Sequence, residues 1–561
     1  MNVTPVSMLI LTLDFCGRTF GANPCLATGE PCYNTYPTCR YKSAYLRQTR
    51  DYKFTSNDAA LPFRSGERPY IEKISYMPTE IKDNLTASAR VKATLYDEPD
   101  TDIGIDPYVS QRSSVQGTYW KKLLARNKNY EGREARVYEG NLGDPEEEFR
   151  QTFIGRIENI KRGKGTVEVE IVDLLKALDK IEVPPKLDIK LVAAVDEAAN
   201  EMTLTTVEGL KSPSGYIRMG DEIISYTGAS AQANQLTGCQ RGHFGTIAAG
   251  YGPGEKVQKV RYYAPANPFD ILKQMLLEDA GYDAGSVDSD GFDYWRDWPG
   301  GEVDFSAVVS EPTKLKELYF EIVDLLDCKS WVGEDLKVTI RRNIPNEPGR
   351  SYREFSDEAN IINGSSGVDD NKSSRVSRVL VYWDKSPIGE LDSPGSYGRL
   401  DLAVDPDAES ANSYGTAAEK KFFCRWLGTW YAQEETIASF IKDFAMRQVW
   451  RQRDPMPIVS FDAHLKDADA KTGENIRLST DEVVEPDGSP LVRAPFQIIK
   501  REFKGKRIAL RALRISPRKI DIIAPDDAPD WDQATEEDKE YGYICDDDGL
   551  MPDGSPGYHI Y

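Results

Sequence analysis

Four of the eight cysteines, Cys16, Cys25, Cys32 and Cys39, fall within 24 residues, and nothing else in the chain restricts its fold as much. The other four, Cys239, Cys328, Cys424 and Cys545, stand singly. The gaps inside the cluster are eight, six and six residues. Gly17, Gly21, Gly29, Pro24, Pro31 and Pro37 fill them, so the segment turns back on itself repeatedly. A chain bent in this way can aim several sulfurs at one centre.

Three readings compete for that centre. A disulfide pair needs an oxidising compartment, and no secretory leader is read at the amino end. The run Met8 to Phe15 is apolar but short, broken by Thr12 and Asp14, and reads as a strand. Structural zinc usually takes a cysteine pair about two to four residues apart, and this segment has none. An iron–sulfur cluster also takes four thiolates and is wider than one zinc ion, so longer gaps suit it. Glycine amides could approach its sulfurs, and Phe15, Phe20, Tyr33 and Tyr36 could keep water from it. The expected ligands are therefore Cys16, Cys25, Cys32 and Cys39 around an iron–sulfur cluster, [4Fe-4S] before zinc. Arg40, Lys42, Arg47 and Arg50, with Tyr41 and Tyr45 among them, form a basic exit that could offset the cluster's negative charge.

The rest of the chain reads as scaffold. A net charge of −21 speaks against a nucleic-acid surface, which wants clustered Lys and Arg. No run of about 18 apolar residues is present, so no membrane span is expected. Only His243, His464 and His559 occur, far apart, and no GxSxG, HExxH or P-loop pattern appears. No catalytic residue is expected. Reducing cytoplasm is the expected site of folding, where thiolate ligands survive.

Period-two alternation dominates. It predicts strands at Met8–Phe15, around Ile71–Tyr76, at Ala87–Tyr96, and a hairpin from Phe153 to Ile171 turning at Arg162-Gly163-Lys164-Gly165. Glycine-punctuated short strands follow in Gly215–Thr246; there Arg241, Gly242 and His243 read as corners of a compact β module and not as a catalytic set. Helices are expected at Thr118–Arg126, after the Asn267-Pro268 cap until Gly281, at 313–327, near 417–427 and at 434–451. Strands are expected at Leu336–Ile340, Val376–Trp383 and Pro457–Leu465. A closing hairpin, Phe496 to Leu513, repeats the plan of the one at 153–174 and suggests two related β-barrels. From Asp526 onward the chain is acidic and turn-rich.

The fold class expected is mainly β with α insertions (α+β), multidomain, with two β-barrels and an amino-terminal cysteine loop. The expected boundaries are 1–50 for the cysteine loop, 51–185 for a first barrel and 186–262 for an inserted β module. A mixed α/β domain follows at 263–350, a second barrel with helices at 351–515 and an acidic tail at 516–561.

The cysteine loop resembles the cluster-binding part of the lambda-like tail-tip protein family, although the gap between Cys25 and Cys32 is much shorter here. The run Gly215–Thr246 resembles a β module of tail hub proteins in phages and gene transfer agents. The region 417–513 resembles the second barrel of such hubs. The resemblance implies a baseplate or tail-tip hub of a long non-contractile-tailed phage, a virion structural protein assembled in the host cytoplasm. It implies a homotrimeric ring that closes the tube and joins distal tail and tube proteins to a central fibre or spike. The alternatives are a tail-associated cell-wall hydrolase and an iron–sulfur redox protein. The redox reading wants flavin or nucleotide motifs, and none is found.

Overall fold

Seven strands near the amino end close on themselves. In the computed structural model, the described residues are 5–56, 67–77, 81, 89–113, 116–141, 145–211, 213–297, 303–333, 335–344, 351–370, 372–467, 469–484, 488–504 and 507–515. They fall into two units, one drawn from residues 1–80, 87–180 and 331–338, the other from 81–86, 181–330 and 339–561. The acidic tail and Cys545 lie outside the described residues.

The first unit holds the closed barrel. Its strands are β1 (Pro5–Cys16), β2 (Arg47–Ser56), β3 (Glu67–Met77), β4 (Arg90–Tyr96), β5 (Glu134–Asn141), β6 (Arg150–Arg162) and β7 (Thr166–Val172). Around the barrel they run β1-β2-β3-β4-β7-β6-β5 and back to β1. Only the β2–β3 pair is parallel. Leu9 sits opposite Phe54 on one side and Val137 on the other, and all three point inward with no exposure. Leu11, Leu13, Val91, Ala93, Leu95, Val167, Val169 and Ile171 repeat that alternation, which fixes register because a one-residue slip would turn the core outward. On the outer face Lys92 pairs with Glu168 and Lys161 with Glu170, each at 2.6 Å. Closure leaves no free edge.

Helix α1 (Tyr119–Arg126) packs into this core. Trp120 is fully buried and stacks on Phe54, centroids 4.9 Å apart and planes 18° from parallel. Asp97 sets the start of the helix: it accepts from the Trp120 amide at 2.9 Å and from the Thr118 hydroxyl at 2.7 Å. The boundary expected at residue 50 runs through β2. The cysteine loop is therefore an excursion between two barrel strands and not a region preceding the barrel.

The second unit is built from smaller sheets. Gly215–Met219 and Glu222–Tyr226 form a hairpin whose corner, Gly220, has φ 50°. Gly215–Met219 also pairs with Lys256–Ala266, which pairs in turn with Phe305–Val309, so this sheet crosses the boundary expected at 262. A helix starts at Pro268, where the Asn267 side chain accepts from the Phe269 amide at 3.0 Å; the segment turns off at Gly281, φ 65°. Leu315–Leu325 is the helix expected there, with Leu315, Leu318, Ile322, Leu325 and Leu326 all buried. Glu434–Gln452 is helical as expected, burying Ile437, Ile441 and Phe444.

Three expectations fail. Residues 419–423 form a strand, parallel to Arg378–Lys385, and not a helix. Phe423 stacks on Tyr382 at 4.9 Å while Phe422 meets Phe444 edge-on at 4.9 Å, so the ladder uses both faces of the segment and outweighs the helix propensity of Ala417-Ala418-Glu419-Lys420-Lys421. Leu336 lies in a turn at φ 65°, and its strand begins only at Val338. The second barrel is an open six-stranded sheet, ordered Arg353–Ser356, Asn475–Val484, Pro490–Lys504, Arg507–Arg514, Ile458–His464 and Gly367–Asp369. Its edge strands are four and three residues long, and they do not pair with each other. Both hairpins expected from the repeat do form, one in the closed barrel and one in this open sheet.

Candidate functional site

The barrel register brings the ends of the cysteine loop together, since Cys16 at the end of β1 lies opposite Arg47 at the start of β2. Buried Asn34 organises what lies between. Its carbonyl accepts from the Cys16 amide at 2.6 Å, and its side-chain amide donates to the carbonyls of Cys16 and Arg18 at 3.0 and 3.1 Å. Asn34 holds φ 53°, a conformation Asn tolerates better than most residues. The Cys25 amide closes a turn onto Ala22 at 2.7 Å, and the Cys39 amide one onto Tyr36 at 3.1 Å. The Gly17 amide is taken by the Leu46 carbonyl at 2.9 Å.

Cys16 and Cys25 are buried, Cys32 and Cys39 half-buried, and none of the four is in a disulfide. Burial pushes the Cys32 thiol up, and the neighbouring thiols of Cys39, Cys16 and Cys25 push it further. Cys32 is therefore within electrostatic reach of the other three thiols. Among the described residues no three or more His, Cys, Asp or Glu side chains are grouped to hold a metal ion. Four thiols in one loop are a donor set that either an iron–sulfur cluster or a structural zinc ion takes.

Of the expected basic exit, Arg40 lies against Gly29 of the loop, where a Cβ would meet its guanidinium at 3.3 Å, and the others are engaged nearby. Arg47 pairs with Asp14 at 3.1 Å, and Arg133 reaches the same carboxylate at 2.6 Å. Arg50 donates to the Ile105 carbonyl at 2.9 Å, and Lys42 stands over the Tyr36 ring. The groups that clasp the loop are Arg112 and Arg126. Arg112 donates to the carbonyls of Pro31 and Cys32, both at 2.7 Å, and its buried Asp106 partner fixes the fork. The Tyr33 ring has Arg112 at 3.9 Å and Arg126 at 4.1 Å from its centroid. Arg126 and Lys122 in turn hold Asp102 at 2.7 and 3.0 Å. Burial pushes the Asp102 carboxyl up, but these hydrogen bonds outweigh it and keep it below the usual carboxylate range. The Tyr108 hydroxyl accepts from the Phe20 amide at 2.7 Å. No local pattern marks Asp102, Asp106, Tyr108 or Arg112, because each meets the loop only through barrel topology.

Arg241, Gly242 and His243 occupy corners of the β module, as expected. Glu222 is wholly buried and takes both arms of Arg241, at 2.8 and 2.6 Å, together with the amides of Gly242 and Ala249. Burial raises the Glu222 carboxyl, and these donors overcome it and hold it below the usual range. Ser225 Oγ lies 2.9 Å from His243 Nε2, and the same nitrogen faces Gln240 Oε1 at 3.3 Å. Among the described residues no carboxylate is hydrogen-bonded to this ring.

No known sequence family matches the chain, and no curated protein does. Solved tail proteins are similar in structure. The 43 kDa tail protein of prophage MuSo2 from Shewanella oneidensis is 8% identical, with 80% of this chain and 94% of that chain covered and a TM-score of 0.36. A tail protein from Neisseria meningitidis MC58 is 9% identical, with 79% and 95% covered and a TM-score of 0.34. A chain of the native gene transfer agent virion is 14% identical, with 58% and 82% covered and a TM-score of 0.32. No helix among the described residues is long and apolar enough to cross a membrane.

Proposed function

We propose that the chain is a structural protein of a tail tip or baseplate, a hub whose amino-terminal loop is fastened by an iron–sulfur cluster. The observation that carries the reading is the gathering of Cys16, Cys25, Cys32 and Cys39 within one loop that the closed barrel clasps. Those four thiolates would hold the cluster. When bound, the group cross-links a segment too poor in apolar residues to pack by itself, and its binding energy becomes folding energy. The protein's own part is to orient the sulfurs through Asn34 and to supply positive charge from Arg112 and Arg126. A closed barrel and an open six-stranded sheet would serve as rigid scaffold on which a homotrimeric ring is built. Distal tail and tube proteins would meet that ring on one side, and a central fibre or spike on the other.

The experiment is iron and acid-labile sulfide analysis of anaerobically purified protein, beside the variant with Cys16, Cys25, Cys32 and Cys39 all replaced by serine. The expected result is iron and sulfide in the wild type and neither in the variant. Zinc without sulfide would replace the cluster by a structural ion. Locating the chain in a tail-tip reconstruction tests the hub reading separately; density anywhere but the tip would end it.

A further inference from the structure

The chain leaves β1 at Cys16 and rejoins the barrel at Arg47. Along that excursion the Tyr45 hydroxyl and the Arg18 Nε are closed off from solvent, and neither has a hydrogen-bond partner. A buried donor left unmet is costly and asks for an acceptor. The fold sets Tyr45 between two of the cysteines. Its neighbour Leu46 takes the Gly17 amide at 2.9 Å, directly after Cys16. Its ring meets Tyr36 edge-on, centroids 5.2 Å apart, and the Tyr36 carbonyl takes the Cys39 amide at 3.1 Å. Burial, then Asp14, Cys16 and Cys39 push the Tyr45 phenol up to about 12 against the pull of Arg47, so both sulfurs act on it. The Asp14 carboxylate is already shared by Arg47, Asn129 and Arg133 at 3.1, 3.1 and 2.6 Å. Arg18 lies two residues past Cys16, its carbonyl held by the Asn34 side chain at 3.1 Å. A thiol accepts hydrogen bonds weakly, whereas the same sulfur as a metal-bound thiolate is anionic and accepts them well.

We infer that Tyr45 and Arg18 donate O–H and N–H hydrogen bonds to the sulfurs of the group held by Cys16, Cys25, Cys32 and Cys39, and so raise its reduction potential. Reduction adds negative charge that the sulfurs share, and a donor aimed at them stabilises that charge. The inference rests on the iron–sulfur reading and adds to it which side chains of the loop set the potential. It makes both residues positioning groups and not ligands.

The test is a potentiometric titration with dithionite of the full-length protein purified anaerobically, after iron and acid-labile sulfide have been counted. Tyr45→Phe and Arg18→Met are each expected to load as the wild type does. At the wild-type midpoint, where oxidised and reduced forms are equal, each variant should stand about tenfold in favour of the oxidised form, a shift of about 59 mV for one electron. Tyr36→Phe removes a phenol from an exposed side chain and should leave the midpoint unchanged. A merely structural Tyr45 would move the unfolding midpoint and not the potential. A wild type without iron and sulfide ends the cluster reading and this inference together. A loaded cluster with one potential in wild type, Tyr45→Phe and Arg18→Met overturns this inference alone, as does an equal shift from Tyr36→Phe. Should Arg18→Met fail to fold, Tyr45→Phe decides by itself.

Discussion

Arg112 donates to the carbonyl of Cys32 at 2.7 Å across 80 residues of chain, with its guanidinium held by the fully buried carboxylate of Asp106. The bond ties the cysteine loop to a segment between β4 and α1 that is distant in sequence. Arg112→Ala would leave Asp106 buried without its cation and release the Pro31 and Cys32 carbonyls. The expected loss is on the order of 3–5 kcal/mol, read by denaturant unfolding. Limited proteolysis should then cut inside residues 17–39. Arg112→Lys should recover less than half of the loss, since an ammonium cannot reproduce the fork. Equal stability of Arg112→Ala and wild type would show that the clasp contributes nothing.

Glu222 plays the corresponding part in the β module. Its folded-state ionisation is held below the ordinary carboxylate value of 4.5. A depressed carboxylate stabilises the fold above its unfolded value, and that stability is lost as pH falls through the lower, folded value. Wild-type protein should therefore weaken on acidification below about pH 4.5, Asp102 adding to the trend from its own depressed ionisation. Glu222→Gln should lose on the order of 3 kcal/mol at pH 7 and show a flatter acid limb. A variant with the wild-type acid limb would rule Glu222 out as its source.

The local elements were legible where period and end signals agreed. Leu9, Leu11 and Leu13 alternate, and Asn267-Pro268 with Gly281 brackets its helix. Closure of the barrel was expected, but not that β1 and β2 on either side of the cysteine loop belong to it, because pairing across a gap of 30 residues leaves no local mark. The strand at Glu419–Phe423 was misread for a related reason: its stability comes from Tyr382 and Phe444, which lie outside any local window. The cysteines announced themselves by spacing. Arg112, Arg126 and Asp106 did not, since an arginine that clasps a loop looks in sequence like any solvated arginine.

Trp120 couples helix to barrel through its stack on Phe54. Its indole Nε1 is buried without a hydrogen-bond partner, so the residue contributes by packing alone. Trp120→Ala should cost about 3–5 kcal/mol. Trp120→Phe should recover most of this, because the stacked face is kept and no donor is left unmet. Thermal unfolding followed by near-ultraviolet circular dichroism distinguishes the two. A phenylalanine variant as unstable as the alanine variant would mean that the indole is doing more than filling space.

Asp324, on the helix Leu315–Leu325, inverts the usual pH response. Burial pushes its carboxyl from 3.8 up to about 7; Lys420 opposes the rise and Glu321 adds to it. One carboxylate oxygen is buried with no hydrogen-bond partner, so ionising the group in the fold is costly. With the folded value above the unfolded one, the protonated form is favoured by folding. The associated stability is fully present below pH 3.8 and is lost as pH rises through about 7. Asp324→Asn removes the titration while keeping the shape. It should therefore be more stable than wild type at pH 8, by on the order of 1–3 kcal/mol, with the advantage shrinking toward pH 4. Denaturant midpoints at pH 4, 6 and 8 measure the difference; an advantage that does not change with pH would show that Asp324 stays ionised throughout.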